Sequence, residues 1–278
     1  MTKLVLQGAN LSSHIADTIA EQLSAEVETT TNYTLLTSSQ SIDKTVLQDW
    51  RQRYPIDINQ IPDNFESTKT GLFVTDMDST LINIECVDEI ADFIGVKPQV
   101  AAITEAAMLG DIDFETSLRQ RVSLLKGLKV SVLEHVFEQR LKLNPGAVLL
   151  IKTLQNKGIK TALVSGGFTF FTDRLKAQLG LDYTMANVLQ QYNGRLTGEV
   201  DGNICGAQAK ADFLLARCQD LAIKPEQTVA MGDGANDLLM MREAGLSVAY
   251  HAKPRVQQEA LTTLNYCGLD GVLGLLQL

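Results

Sequence analysis

Phe73-Val74-Thr75-Asp76-Met77-Asp78-Ser79-Thr80-Leu81 decides how this chain is read. A short apolar run with strand character empties directly into two aspartates spaced i, i+2. Strands alternate their faces, so both carboxylates address one pocket only if the first stays extended and the chain then turns sharply, as Ser79 and Thr80 allow. Two carboxylates held together repel unless a cation sits between their oxygens. Hard oxygen ligands suit Mg²⁺ better than zinc, which prefers nitrogen and sulfur. A solvated turn after a strand is the competing reading, because aspartate favours turns for local hydrogen bonding.

The pattern recurs downstream, and the recurrence breaks the tie. Thr161-Ala162-Leu163-Val164-Ser165-Gly166-Gly167 and Thr228-Val229-Ala230-Met231-Gly232-Asp233-Gly234-Ala235-Asn236-Asp237 are also apolar runs that end in small polar or acidic residues. In an open parallel sheet, ligands bind beyond the carboxyl ends of the strands, near a switch in strand order. Three such endings at one sheet edge build one pocket. Lys210 falls between the second and third, in the first turn of a predicted helix, where the macrodipole disfavours a cation. It is either a solvated surface lysine or the charge that offsets phosphate and carboxylates. Gly166-Gly167 permits close backbone approach and, leading into a predicted helix over 168–179, offers amides to an anion such as phosphate.

With 278 residues, 45% of them hydrophobic, the chain can bury a full core and divides into two units at the usual domain size. It reads as an ordinary soluble globular protein. A formal charge of −9 and the lack of a Lys/Arg cluster argue against a nucleic-acid surface. No apolar run approaches the ~20 residues needed to span a bilayer, and the start lacks a signal-peptide core, so no membrane partner and a cytoplasmic address are expected. Cys86, Cys205, Cys218 and Cys267 are scattered without C-x-x-C spacing. They read as reduced packing residues.

Residues 1–68 differ in character from the rest. Pro55 and Pro62, followed by Glu66-Ser67-Thr68-Lys69-Thr70, look like linker punctuation and set a boundary near 68. Before it, strands at 3–6 and 33–37 and helices at 13–23 and 44–53 suggest a small α+β module for packing, dimerisation or regulation. From about 85 to 143 the apolar spacing predicts four helices: Val87, Ile90, Ala91, Ile94; Val100, Ile103, Ala107; Phe114, Leu118, Val122, Leu125; and Val132, His135, Val136, Leu141. Inserted after the first core strand, they form a cap over the carboxyl edge of the sheet, able to exclude water and read the substrate.

On the third cap helix, Arg121 lies seven residues after Phe114 and shares its inward line, whereas Arg119 points away. A buried arginine needs an anion, either a substrate carboxylate suited to its planar fork or an internal acid. Glu85 either complements a helix N-terminus or reaches back over the pocket. The segment 187–200 reads as a hairpin turning at Asn193-Gly194, a structural flap. A strand at 246–250, a helix from Pro254 and a strand at 264–267 complete a doubly wound α/β core. His14, His135 and His251 show no ligand spacing.

Taken together, Asp76-Met77-Asp78-Ser79-Thr80, Ser165-Gly166-Gly167, Lys210 and Gly232-Asp233-Gly234-Ala235-Asn236-Asp237 resemble the haloacid dehalogenase superfamily over residues 71–278. The longer strings 76–85 and Phe114-Glu115-Thr116-Ser117-Leu118-Arg119-Gln120-Arg121-Val122 are similar to its phosphoserine phosphatase family. The resemblance implies a Rossmann-like core and hydrolysis of O-phospho-L-serine, the last step of serine biosynthesis. By it, Asp76 is the nucleophile and Asp78 the acid and base. Mg²⁺ is held by Asp76, the Asp78 carbonyl and Asp233, with Asp237 supporting the metal shell. Ser165, Gly166 and Lys210 hold the phosphoryl oxygens, Asn236 lies in the phosphate pocket, Glu85 takes the substrate ammonium and Arg121 its carboxylate. Transfer to another hydroxyl acceptor, or an amino-acid-sensing protein with a slow phosphatase core, are the other functions considered.

Overall fold

A computed structural model gives the architecture and describes residues 1–109 and 111–278. The first elements are β1 (Thr2–Gln7), α1 (Ser13–Leu23), β2 (Glu26–Thr29), β3 (Thr34–Ser38), α2 (Lys44–Arg53) and β4 (Asp57–Ile61). They form a four-stranded sheet in the order β2-β3-β1-β4, with antiparallel neighbours. Ser12 caps α1 by accepting from the Ile15 amide, and Asp43 caps α2 through the Thr45 amide. Alternation along β1 sends Leu4 and Leu6 against α1 and α2, while Val5 joins the main core.

Between the two prolines read as linker punctuation runs strand β4. Pro55 and Pro62 bracket the strand without entering it, so no ladder donor is lost, and Ile56, Ile58 and Ile61 are buried. Strand β2 also escaped the sequence pattern, because all four of its residues are exposed at the sheet edge.

The main sheet is built from β5 (Leu72–Thr75), β6 (Lys160–Phe168), β7 (Tyr183–Tyr192), β8 (Arg195–Asp201), β9 (Thr228–Gly232), β10 (Leu246–Tyr250) and β11 (Thr262–Leu264). Its order is β11-β10-β9-β5-β6-β7-β8, parallel except for the β7–β8 hairpin. Strand β5 is central, and its neighbours β6 and β9 lie on opposite sides, which makes its carboxyl end the switch point. Phe73 packs into one apolar layer, Leu72 and Val74 into the other. Strand β11 ends at Leu264, the residue at which the sequence pattern starts it. Asn265, Tyr266 and Cys267 instead form a loop whose amides bind Asp57.

The cap comprises α3 (Cys86–Phe93), α4 (Lys97–Leu109), α5 (Phe114–Ser123) and α6 (Ser131–Gln139). In α6 the inward residues are Leu133 and Val136; His135 is exposed against the Phe93 ring, and the helix stops before Leu141. Helices α7 (Ala147–Asn156), α8 (Thr169–Leu179), α9 (Ala207–Leu221), α10 (Leu238–Glu243), α11 (Pro254–Glu259) and α12 (Gly271–Leu275) cover the sheet. The hairpin turns at Asn193 and Gly194, both at positive φ, as its type I′ signature requires. It is more than a flap: Leu196 exchanges backbone hydrogen bonds with Gly127 and Leu128, and the Val130 amide donates to Gly194, so the hairpin clasps the cap between α5 and α6.

Candidate active site

The carboxyl ends of β5, β6 and β9 converge, and the sequence dictates how. Asp76 remains extended at φ −70, ψ 164, Asp78 follows at φ −64, ψ 135, and Ser79 enters the left-handed region at φ 55. That turn keeps both aspartates on the same side of the sheet edge, as the i, i+2 spacing requires. Beneath them Lys210 is fully buried on α9, with Nζ 2.6 Å from Asp76 Oδ1 and 2.7 Å from Asp237 Oδ1. The surface-lysine alternative is therefore excluded.

The remaining groups are held by short local bonds. Asp237 Oδ2 accepts from the Gly234 amide at 3.1 Å, and Asp233 Oδ1 from Thr80 Oγ1 at 3.2 Å. Asp78 Oδ1 accepts from the Cys86 amide at 3.0 Å, so the aspartate satisfies the first turn of cap helix α3. Glu85 stands at the N-cap position of that helix, but its side chain makes no capping bond; it accepts from Ser79 Oγ at 2.6 Å and borders the cavity. Ser165 Oγ accepts from the Gly167 amide at 2.8 Å, which occupies one of the two glycine amides expected to be open to an anion. A Cβ on Gly167 would lie 2.8 Å from Asp78 Oδ2, so glycine is needed there for close packing.

Above these groups lies a cavity of about 650 Å³ between core and cap, which Lys210, Asp237 and Ser165 underlie without lining it. The core wall carries Asp76, Asp78, Gly166, Asp233 and Asn236; the cap wall carries Glu85, Phe114, Ser117 and Arg121. Arg121 is half-buried, and its Nε leans on the Ser117 carbonyl at 3.4 Å without an ion pair among the described residues. The internal salt bridge offered as its alternative is not made. Arg119 points outward and pairs with Glu115, as the helical wheel requires.

Burial and crowding of like charges set the electrostatics. Burial, then Asp237, pushes Asp76 well above the usual carboxylate range, with Lys210 opposing. Burial and Glu85 raise Asp78 to about 7. Burial and Asp237 raise Asp233 to about 6. Burial alone would lower Lys210, but Asp237 and Asp76 hold it above its ordinary value. Burial lowers the Arg121 guanidinium against the pull of Asp88 and Glu85.

Oxygens of Asp76, Asp233 and Asp237 lie within 4.8 Å of one another, a hard-donor cluster fit for a metal ion. Both Asp237 oxygens already accept hydrogen bonds, which leaves Asp76 and Asp233 freer to ligate. The Asp78 carboxylate lies outside the cluster and faces Cys86, so only its carbonyl remains for the ligand role given to it. Sequence reasoning gave Ser79 and Thr80 only the turn, not their hydrogen bonds to Glu85 and Asp233, and did not single out Lys253, which reaches the cavity only through the return of β10 to the same edge.

Residues 70–245 match the haloacid dehalogenase-like hydrolase family. The chain is 58% identical over 211 residues to a phosphoserine phosphatase of Polaromonas sp., covering 74% of this chain and 89% of that one. A solved structure of a probable phosphoserine phosphatase from Vibrio cholerae superposes with a TM-score of 0.86 at 41% identity, over 99% of this chain and 86% of that one. A haloacid dehalogenase family hydrolase from Salmonella enterica serovar Typhi gives 0.90 at 31% identity, over 100% and 99%. The buried aspartates and lysine under a helical cap, and this degree of likeness, have one conclusion: the chain belongs to the phosphoserine phosphatase family of haloacid dehalogenase-like hydrolases.

Proposed function

We propose that this chain hydrolyses O-phospho-L-serine to L-serine and phosphate by way of a phosphoaspartate on Asp76. The observation that carries the proposal is the buried Asp76–Lys210–Asp237 cluster beneath a cavity whose far wall bears Glu85 and Arg121. An Asp76 oxygen attacks phosphorus, the bond from phosphorus to the serine oxygen breaks, and that oxygen takes the Asp78 proton. Asp78, now ionised, accepts a proton from water as the water attacks phosphorus, and the bond to Asp76 breaks to regenerate its carboxylate. Its elevated pKa suits it to both halves of this exchange.

Lys210 keeps Asp76 charged and oriented, and its ammonium offsets the charge that builds on the phosphoryl oxygens. Asp76 and Asp233 would hold Mg²⁺, with the Asp78 carbonyl completing the protein ligands and Asp237 supporting them; the ion supplies Lewis-acid neutralisation of phosphate charge. Ser165, Gly166 and Asn236 hold the phosphate. Glu85 receives the substrate ammonium, and the free fork of Arg121 receives its carboxylate. The apolar Phe114 and Leu118 nearby exclude water as the cap closes. We place the reaction in the cytoplasm, consistent with four free cysteines, and take residues 1–68 as an accessory unit for packing, regulation or homodimer formation.

The test is phosphate release from O-phospho-L-serine, O-phospho-L-threonine and p-nitrophenyl phosphate, with Mg²⁺ and with a chelator. Fast release from phosphoserine that needs Mg²⁺ and vanishes in Asp76→Asn is expected. Release from the nitrophenyl ester alone would overturn the substrate assignment. Consumption of an added alcohol as acceptor would replace hydrolysis by transfer.

A further inference from the structure

Two cations at the cavity, Lys253 and Arg255, have no part in the chemistry above. Lys253 ends the return from β10, just before Pro254 and helix α11. Its amide donates to the Asp233 carbonyl at 3.2 Å, and its carbonyl accepts from the Val256 and Gln257 amides at 2.9 and 3.1 Å. The backbone is thereby fixed beside Asp233, while the side chain stays exposed and borders the same cavity. Arg255 also borders it, but Glu259 pairs with its Nε at 3.1 Å. Among the described residues, Lys253 has no such carboxylate partner.

The electrostatic setting gives an unpaired cation here a specific use. The substrate is an anion, and the chain carries a net charge of −9. The cavity the substrate enters is lined by Asp78, Glu85 and Asp233. Lys210 is fully buried behind Asp76 and Asp237, and Arg121 stands on the opposite, cap-side wall. Charge at the mouth of a low-dielectric cleft acts on the encounter rate and local concentration of a charged ligand.

We infer that Lys253 is the receiving cation of this site, a binding residue at the core-side rim that draws the substrate phosphate past the acidic wall. The inference rests on the phosphomonoester reading and deepens it. The experiment measures kcat and KM for O-phospho-L-serine and p-nitrophenyl phosphate from about 20 to 500 mM ionic strength, a range over which screening becomes strong. Wild type is compared with Lys253→Ala, Lys253→Glu and Lys253→Arg, at saturating Mg²⁺.

At low salt, kcat/KM is expected to fall about fivefold in Lys253→Ala and further in Lys253→Glu, through KM, and to recover in Lys253→Arg. The curves should converge at high salt, for both substrates. An unchanged salt slope in Lys253→Ala would overturn the inference, as would a loss in kcat that Lys253→Arg does not restore. If wild type acts on the nitrophenyl ester alone, the serine reading fails, while the salt slopes of the Lys253 variants on that ester still decide whether Lys253 receives the phosphate.

Discussion

Burying a lysine between two aspartates is tolerable only because each charge answers another. Removing Lys210 leaves the buried carboxylates of Asp76 and Asp237 without their shared cation, and breaking such a cluster costs about 3–5 kcal/mol. Lys210→Met should therefore melt well below wild type near pH 8 in chelator. The deficit should narrow toward pH 5, since Asp76, whose pKa lies well above the ordinary carboxylate value, accepts a proton and sheds its charge there. Differential scanning calorimetry at the two pH values checks this; an equal deficit at both would mean that the charge argument is wrong. Activity should fall by at least about 10³, as expected when a preorganised cation is lost from phosphoryl transfer. Asp78 yields a second prediction. With a pKa raised to about 7, its acid form dominates below that pH, so kcat/KM should decline as pH rises through about 7. Asp78→Asn should lose about 10²–10⁴ in rate and the alkaline limb with it. A mutant profile parallel to wild type would assign that limb to another group.

At the scale of the element, legibility followed periodicity. Helix α5 could be read because Phe114, Leu118 and Arg121 share a face, and β5, β6 and β9 because each is an apolar run with an abrupt polar end. Strand β2 has no buried face to show as a pattern. The segment holding β4 was disguised by prolines at its flanks, and α6 lost its register because Val132 and His135 suggested a face that Leu133 occupies. The convergence of Asp76, Ser165 and Asp233 was legible through strand endings and Lys210 only through its odd place in the first turn of a helix, whereas the hydrogen bonds that aim Glu85 and Asp78 depend on three-dimensional turns. The clasp between hairpin and cap was equally invisible, since it joins residues 127–130 to 194–196 through backbone hydrogen bonds and one from Arg195 Nη1 to the Gly127 carbonyl at 2.7 Å. Gly198 tests it. At φ 85 a side chain there is strained, and its Cβ would lie 2.9 Å from Lys126 Cβ and 3.2 Å from the Ser123 carbonyl. Gly198→Ala should cost about 1–3 kcal/mol in urea unfolding. Because the hairpin would no longer seat the cap, KM for phosphoserine should rise more than kcat falls. A stable variant with unchanged KM would show that the clasp is dispensable.

Across the whole molecule, the two sheets meet at an edge that would otherwise be open. Strand β11 pairs with β10 on one side only, and an uncovered edge strand is a template for aggregation. Side chains of β4 cover it. The Asn59 amide behaves as a surrogate peptide: Nδ2 donates to the Thr263 carbonyl and Oδ1 accepts from the Thr263 amide, both at 2.8 Å. Asp57, 2% exposed, gathers the amides of Asn265, Tyr266 and Cys267 at 2.6–3.3 Å. Removing the carboxylate takes the acceptor from all three part-buried amides at once, and leaving donors unpaired is what makes such a loss expensive. Asp57→Ala should therefore cost about 3 kcal/mol, while Asp57→Asn, which keeps one acceptor oxygen, should cost less. The deficit should appear in urea unfolding, and light scattering near 37 °C should rise as β11 becomes available to neighbouring molecules. Residual activity per folded molecule should change little, because Asp57 touches neither the cavity nor its walls. If Asp57→Ala unfolds at the wild-type urea concentration and scatters no more light, the edge is protected by apolar packing of Val5, Ile61 and α12 instead, and the polar seam is incidental to the joining of the two sheets.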